Sequence, residues 1–316
     1  MEETANSGQY MPDAERRARA EAAIADYNVE RPQILSSAYL QVAMYFGGYI
    51  ILAALLLYAS YNQDDPKHRL FSFTGAILMI GAFYLWDFAW KPVKDHQMVL
   101  RYRLFPEIFG FVDQVDYNHG TEPWFIEGLK QLKLVRFTRS KNDDSLSGNH
   151  EGLDFSLVET SLVTGSGKHE NTLFKGLIFH FPLDHPFEGT LIAARRGNWL
   201  QEMVRDLFGS RDDVLECGDP EIDAFYEFRT TNFAAALPLV QGPLASALRY
   251  FSHDWREGDV LMALDGNACF LLLPSKKDYF ALPSINEDVD FMRDAEPMIR
   301  DLMVLLALAH LVRKLG

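Results

Sequence analysis

The stretch "VTGSGKHE", Val163 to Glu170, has the glycines and lysine of a phosphate-binding loop. Such a loop needs a Gly five positions before its Gly-Lys pair and a Ser or Thr after it. Leu162 and His169 occupy those places, and strand patterns flank the stretch, so it reads as a hairpin loop. His169, His180 and His185 lie near one another, but zinc needs three or four convergent donors. Pro182 separates the last two, and no regular element puts them on one face. Asp219, Glu221 and Asp223 alternate. In a strand they would share a face, either to hold Mg²⁺ or Ca²⁺ or, as we expect, as solvated charges at a strand entrance. Lys175 on a strand could bind an anion, although a salt-bridged or edge lysine is the simpler reading. Gly176 and Gly189 read as a bulge or close strand packing. No Gly-x-Ser-x-Gly elbow, catalytic-cysteine pattern or dinucleotide-binding glycine motif occurs. No catalytic residue, metal ligand or cofactor is therefore expected.

The elements that would position these residues fall into two kinds. No Asp, Glu, Lys or Arg occurs from Pro32 through Gln63, and the strongest apolar run covers about 38–60. A hydrocarbon core of roughly 30 Å needs about 20 helical residues. "NQDDPKHR" then reads as an exposed turn, and Leu70 to Trp90 form a second apolar run of spanning length. Tyr39, Tyr58, Tyr61, Trp86 and Trp90 lie near the run ends, where interfacial aromatics concentrate. A cleaved signal peptide is not expected, because about 35 polar residues come first.

Arg16, Arg17, Arg19 and Arg31 precede the first run, and Lys91, Lys94, Arg101 and Arg103 follow the second. That bias predicts a membrane hairpin with a short external turn and both termini cytoplasmic. Gln41 and Asp87 would lie at similar depth, as an ion site or, more simply, a hydrogen-bonded pair joining the helices. Gly47, Gly48, Gly75 and Gly81 read as close-packing positions.

Residues 1–35 read as a polar segment whose short helix ends before Pro32, with the hairpin at 36–92 and a cytoplasmic domain at 93–316. In that domain "LDFSLVETSLVT", "TLFKGLIFHFPL", "GTLIAAR" and "DAFYEFRTT" are strand-like, and "PWFIEGLKQLKLV" is a short helix. "LVQGPLASALRYFSHDW" is helical from Pro243, and "DVLMALDGNACFLLLP" is a hairpin turning at Asp265-Gly266. A helix from about Pro297 to Leu315 packs on the core. The fold class is an α+β soluble domain attached to a two-helix transmembrane hairpin.

The net charge is −14, and from Gln97 onward 22 Lys and Arg face 33 Asp and Glu. Nucleic acid, which needs clustered cations, is excluded as a partner. Two cysteines cannot build a disulfide framework.

"LFKGLIF" (Leu173 to Phe179), "PFEGT" (Pro186 to Thr190) and "DPEIDAFYEF" (Asp219 to Phe228) occur in an order and spacing that resemble one bacterial family, domain of unknown function 3137. The resemblance covers roughly Phe71 to Phe280. It singles out Phe174, Lys175, Gly176, Phe187, Gly189, Asp219, Pro220 and Glu221 as motif positions. This chain has "NFAAALPLVQGP" where members continue with a Glu-Ala-Arg-like stretch. The resemblance implies an anchored bacterial protein, often encoded beside LemA-type membrane proteins, and no established activity. The expected function is a membrane-tethered interaction module without catalysis. Its partners would be the lipid bilayer, another membrane protein such as a LemA-type protein, or a second copy as homo-oligomer. The alternative is a membrane-anchored enzyme or small-ligand sensor using Lys175, Glu221 and Arg229.

Overall fold

The computed structural model describes residues 13–61, 68–132, 134–196, 214–242, 244–245, 248–249 and 260–315. The chain divides into a helical unit, 13–107 with 282–294, and a sheet unit holding 108–281 and 295–316.

The helical unit contains α1 (Ala14–Tyr61, 48 residues) and most of α2 (His68–Ile108, 41 residues). At about 1.5 Å per residue they run roughly 70 and 60 Å. Asp13 starts α1 by accepting the Arg16 backbone N–H at 2.7 Å. The helix then continues through Pro32, and α2 continues through Pro92 and Pro106. The helix stop expected before Pro32 is therefore corrected. An interior proline costs about 3 kcal/mol, and contacts around the proline offset that cost. The Asn28 amide exchanges two hydrogen bonds with the Val289 backbone, at 2.9 and 3.0 Å. Arg31 donates to the Ile285 carbonyl at 2.9 Å and pairs with Asp288, and Tyr27 stacks on His96 at 4.8 Å.

Further along, α1 and α2 meet through aromatic edges: Tyr39 on Trp90 at 5.5 Å and Phe46 on Trp86 at 6.0 Å. The Tyr49 hydroxyl donates to the Leu78 carbonyl. Gly81 allows this approach, since a Cβ there would lie 2.8 Å from that hydroxyl. Among the described residues nothing lies within 4 Å of where a Cβ of Gly47 or Gly48 would stand, so there they are not close-packing positions. Gly75 lies outside the described side chains. Asp87 pairs with Lys94 on its own helix at 2.5 Å. Among the described residues α1 is long and apolar enough to cross a membrane.

The sheet unit is α+β. Its antiparallel sheet runs β1 (Asp113–His119), β2 (Arg139–His150), β3 (Leu153–Thr164), β4 (Asn171–Arg195), β6 (Tyr226–Thr230), β5 (Val214–Leu215), with β7 (Leu261–Pro274) on the other edge of β4. The 25-residue β4 organises it: its first half pairs with β3, its last residues with β6, and most of its length with β7. The expected strands "TLFKGLIFHFPL" and "GTLIAAR" are thus one strand.

The expected hairpin at Asp265-Gly266 is corrected as well. Gly266, at φ +53°, is an irregularity inside continuous β7, opposite Phe187, and Asp265 accepts the Thr190 hydroxyl at 2.6 Å. A long β4 offers partners to both apolar runs and carries the extra residues of the two register shifts there, so β7 passes Gly266 without reversing. Runs such as Leu177–Phe181 and Cys269–Leu273 are buried without alternation, as strands covered on both faces must be. One face carries Val158, Phe174, Ile178, Ile192, Phe270 and Leu272 against Phe125, Ile126 and Leu129 of α3 (Phe125–Gln131). The terminal helix (Glu296–Val312) buries Leu302, Leu305, Leu306 and Ala309 and contacts β4.

Candidate functional site

Among the described residues, one group of titratable side chains grows from a β-bulge. In β2 and β3, Asn142 pairs with Thr160 and Ser145 with Val158, so Asp143 and Asp144 together oppose the single residue Glu159. The extra residue breaks the two-residue alternation near the middle of the strand pair. Asp144 is wholly buried. Its Oδ1 accepts the Tyr117 hydroxyl at 2.5 Å and the His119 Nδ1–H at 2.8 Å, while Asp143 lies 3.3 Å from the same nitrogen. Both donors come from β1, where His119 is the register partner of Asp144.

Glu159 is buried, and burial, followed by the nearby Asp278 charge, pushes its carboxyl up to about 8. The Tyr279 N–H donates to its Oε2 at 2.8 Å. Around neutral pH Glu159 is thus a neutral acid beside ionisable carboxylates, able to hold and release a proton. His119, Asp143 and Asp144 have donor atoms within 4.8 Å of one another, a set of one nitrogen and carboxylate oxygens that could ligate a divalent cation. Sequence reasoning missed this group. Its signal was the tandem "DD" inside a strand, where alternation should place one acid inward and one outward.

The expected sites are placed differently. His180 is buried on β4 in an aromatic box, stacked on Phe125 at 5.1 Å with Trp124 at 4.9 Å and Phe270 at 5.0 Å. Desolvation lowers its pKa to about 4, so it is neutral. His169 and His185 are exposed, and the three do not converge. The stretch 165–170 is the loop joining β3 to β4. Lys175 is exposed and pairs across β3 with Ser161 near the start of β4, whereas Arg229 pairs with Ile192 near its end. Arg229 also bonds Glu227 at 2.5 Å, so Lys175 and Arg229 do not share a site.

Asp219, Glu221 and Asp223 are not on a strand, which corrects the alternating-carboxylate reading. They begin a short helix, α4 (Pro220–Phe225). Asp219 is its N-cap and accepts the Glu221 N–H at 3.0 Å; Pro220 fills the first turn. Asp223 accepts the Cys217 and Gly218 N–H groups at 2.9 and 3.0 Å, and Arg249 pairs with Asp219. Asp-Pro-Glu is a helix-start signal, and the strand begins only at Tyr226. A second helix, α5 (Phe233–Val240), follows where the sequence suggested none, capped by Asn232. Of the helix expected from Pro243, most lies outside the described residues.

The remaining motif positions are structural. Phe174 and Phe187 are buried. Gly176 has φ +150°, and a Cβ there would lie 2.1 Å from the Leu273 carbonyl oxygen. Gly189, at φ +110°, leaves 2.5 Å to the Thr231 hydroxyl.

Residues 172–314, which contain these motifs, match the family model described as "Protein of unknown function (DUF3137)". This stretch is a DUF3137 domain. It starts with β4 and ends in the terminal helix, so it reaches beyond the Phe280 limit of the expected resemblance and leaves out the apolar helices. The bulge acids lie outside it, on strands added to the β4 edge. No curated protein matches the chain. Among solved structures, the crystal structure of the mycobacterial trehalose monomycolate transport factor A, TtfA, aligns with 61% of this chain and 88% of that one, at 11% identity and a TM-score of 0.32.

Proposed function

We propose that the protein is anchored in a bilayer by the α1–α2 hairpin and presents its DUF3137-containing α+β domain as a binding module on the cytoplasmic side of a bacterial inner membrane. The observation that carries this reading is the apolar exterior of both helices. Leu40, Met44, Ile50, Ile51 and Leu55 on α1, and Ile77, Met79, Ile80, Phe83 and Phe88 on α2, are all exposed. Proteins surrounded by water rarely leave contiguous apolar surface of that extent. Lipid is the solvent that suits it, and the Lys/Arg bias of the flanks sets the orientation.

The binding-module part is supported by a full-sized domain whose family-motif residues serve caps, close packing and core. Its partner would be another membrane protein, LemA-type proteins being the first candidates, or a second copy of this chain. A small-ligand sensor is the second reading, favoured by the Asp143–Asp144–Glu159 bulge.

The test combines alkaline extraction of membranes with an ATP-requiring biotin ligase fused after Gly316. The chain should stay with the membrane, and one neighbour should be enriched over an anchored control and lost when the sheet unit is deleted. Release by alkali would overturn the anchor. Labelling no different from the control would overturn the binding module.

A further inference from the structure

A second donor cluster lies at the turn end of the β2–β3 pair, away from the bulge near its middle. We propose that His150, Glu151 and His310 form a binding site for a borderline transition-metal ion of the Zn²⁺ class. His150 ends β2, Glu151 is the first residue of the β2–β3 turn, and His310 comes from the last turns of the terminal helix. The fold thus joins residues 160 positions apart: His150 Nδ1 lies 3.0 Å from His310 Nε2, the rings 5.3 Å apart at 61°. The Glu151 carboxylate falls within the same 4.8 Å group of donor atoms.

Two nitrogens bound to one tetrahedral zinc at about 2.0–2.1 Å sit roughly 3.3 Å apart, so loading needs only a small opening of the pair. Without metal the imidazoles hold each other by one N–H···N bond. Burial lowers both pKa values, which keeps the rings in the neutral, metal-ligating form. The edge of Phe111 at 6.0 Å fixes the His150 ring. Arg313 and Lys314 are the nearby cations, and Arg313 pairs with Asp184 at 3.8 Å. Two imidazoles and one carboxylate suit zinc better than Mg²⁺ or Ca²⁺, which prefer all-oxygen shells, and they leave a fourth position for water or an exchangeable ligand. Glu151 holds φ +50° ahead of Gly152 at φ +76°, a backbone state glycine adopts more easily than glutamate. The carboxylate is therefore present at a position where the turn alone would favour another residue.

The test titrates Zn²⁺ and Co²⁺ into detergent-purified full-length protein, reading zinc affinity by competition and cobalt by its visible ligand-field bands. Wild type should bind one equivalent and give tetrahedral cobalt bands. His150→Gln and His310→Gln should each weaken zinc by at least about 10-fold, since even outer-shell losses cost 10–100-fold. Glu151→Gly should also weaken binding while placing glycine in a conformation it favours, so that a folding defect does not explain the loss. His185→Gln, at an exposed histidine outside both donor groups, should leave binding unchanged. Cobalt bands that persist in the double histidine variant, zinc affinity equal to wild type in Glu151→Gly, or binding lost only in His185→Gln would each overturn the site.

Discussion

Glu159 and His180 are both held neutral by burial, and they respond to pH in opposite directions. For Glu159 the folded value of about 8 lies above the ordinary 4.5. Between those limits the unfolded chain releases a proton that the folded chain keeps, so stability falls as pH rises through the window. Glu159→Gln keeps an acceptor for the Tyr279 N–H without the titration. Unfolding midpoints from pH 5 to 8 should therefore decline less in the variant, and parallel curves would show that the acid is ionised throughout. For His180 the folded value of about 4 lies below 6.5, so the unfolded chain takes up the proton first. Stability is then lost as pH falls from about 6.5 to 4. His180→Phe keeps a ring against Phe125 and Phe270, should cost under about 1.5 kcal/mol at pH 7, and should flatten that acid limb. The histidine was visible in the sequence but its box was not, because Trp124, Phe125 and Phe270 come from distant segments.

At the scale of elements, β4 is the member on which the others depend. It pairs with β3, β6 and β7, and at Gly176 a Cβ would meet the β7 backbone at Leu273. Gly176→Ala places a methyl into the Leu273 carbonyl at a backbone angle that side chains avoid. It should destabilise the sheet unit by roughly 2–4 kcal/mol, the range of severe single substitutions, measured as a lowered unfolding midpoint in denaturant. A wild-type midpoint would mean that β7 does not approach β4 as described. Strand patterns were legible where local chemistry agreed with the outcome, as in β3, which spans the expected "LDFSLVETSLVT". They misled where a local signal had two physical uses: Asp265-Gly266 serves a hairpin or an irregularity, and Pro32 ends a helix or sits within one. Tertiary partners make that choice, and residue spacing does not carry it.

For the whole molecule the deciding feature is the mismatch between an acidic, well-packed sheet unit and two helices with apolar exteriors. If lipid covers those helices, Ile51→Arg with Leu55→Arg should add roughly 2.5–3.5 kcal/mol each to insertion. The double variant should then partition from the membrane into the soluble or aggregated fraction after alkaline extraction. Unchanged retention would indicate that this part of α1 is not in the hydrocarbon core. By itself the sequence determined the apolar helix, the α+β character, the acidic balance and the DUF3137 match of residues 172–314, because composition and short motifs act locally. Tertiary structure alone decided that two adjacent aspartates face one glutamate across a bulge and that His150 meets His310. Those contacts depend on strand register and on a helix packed 160 residues away, and no window along the chain contains both partners.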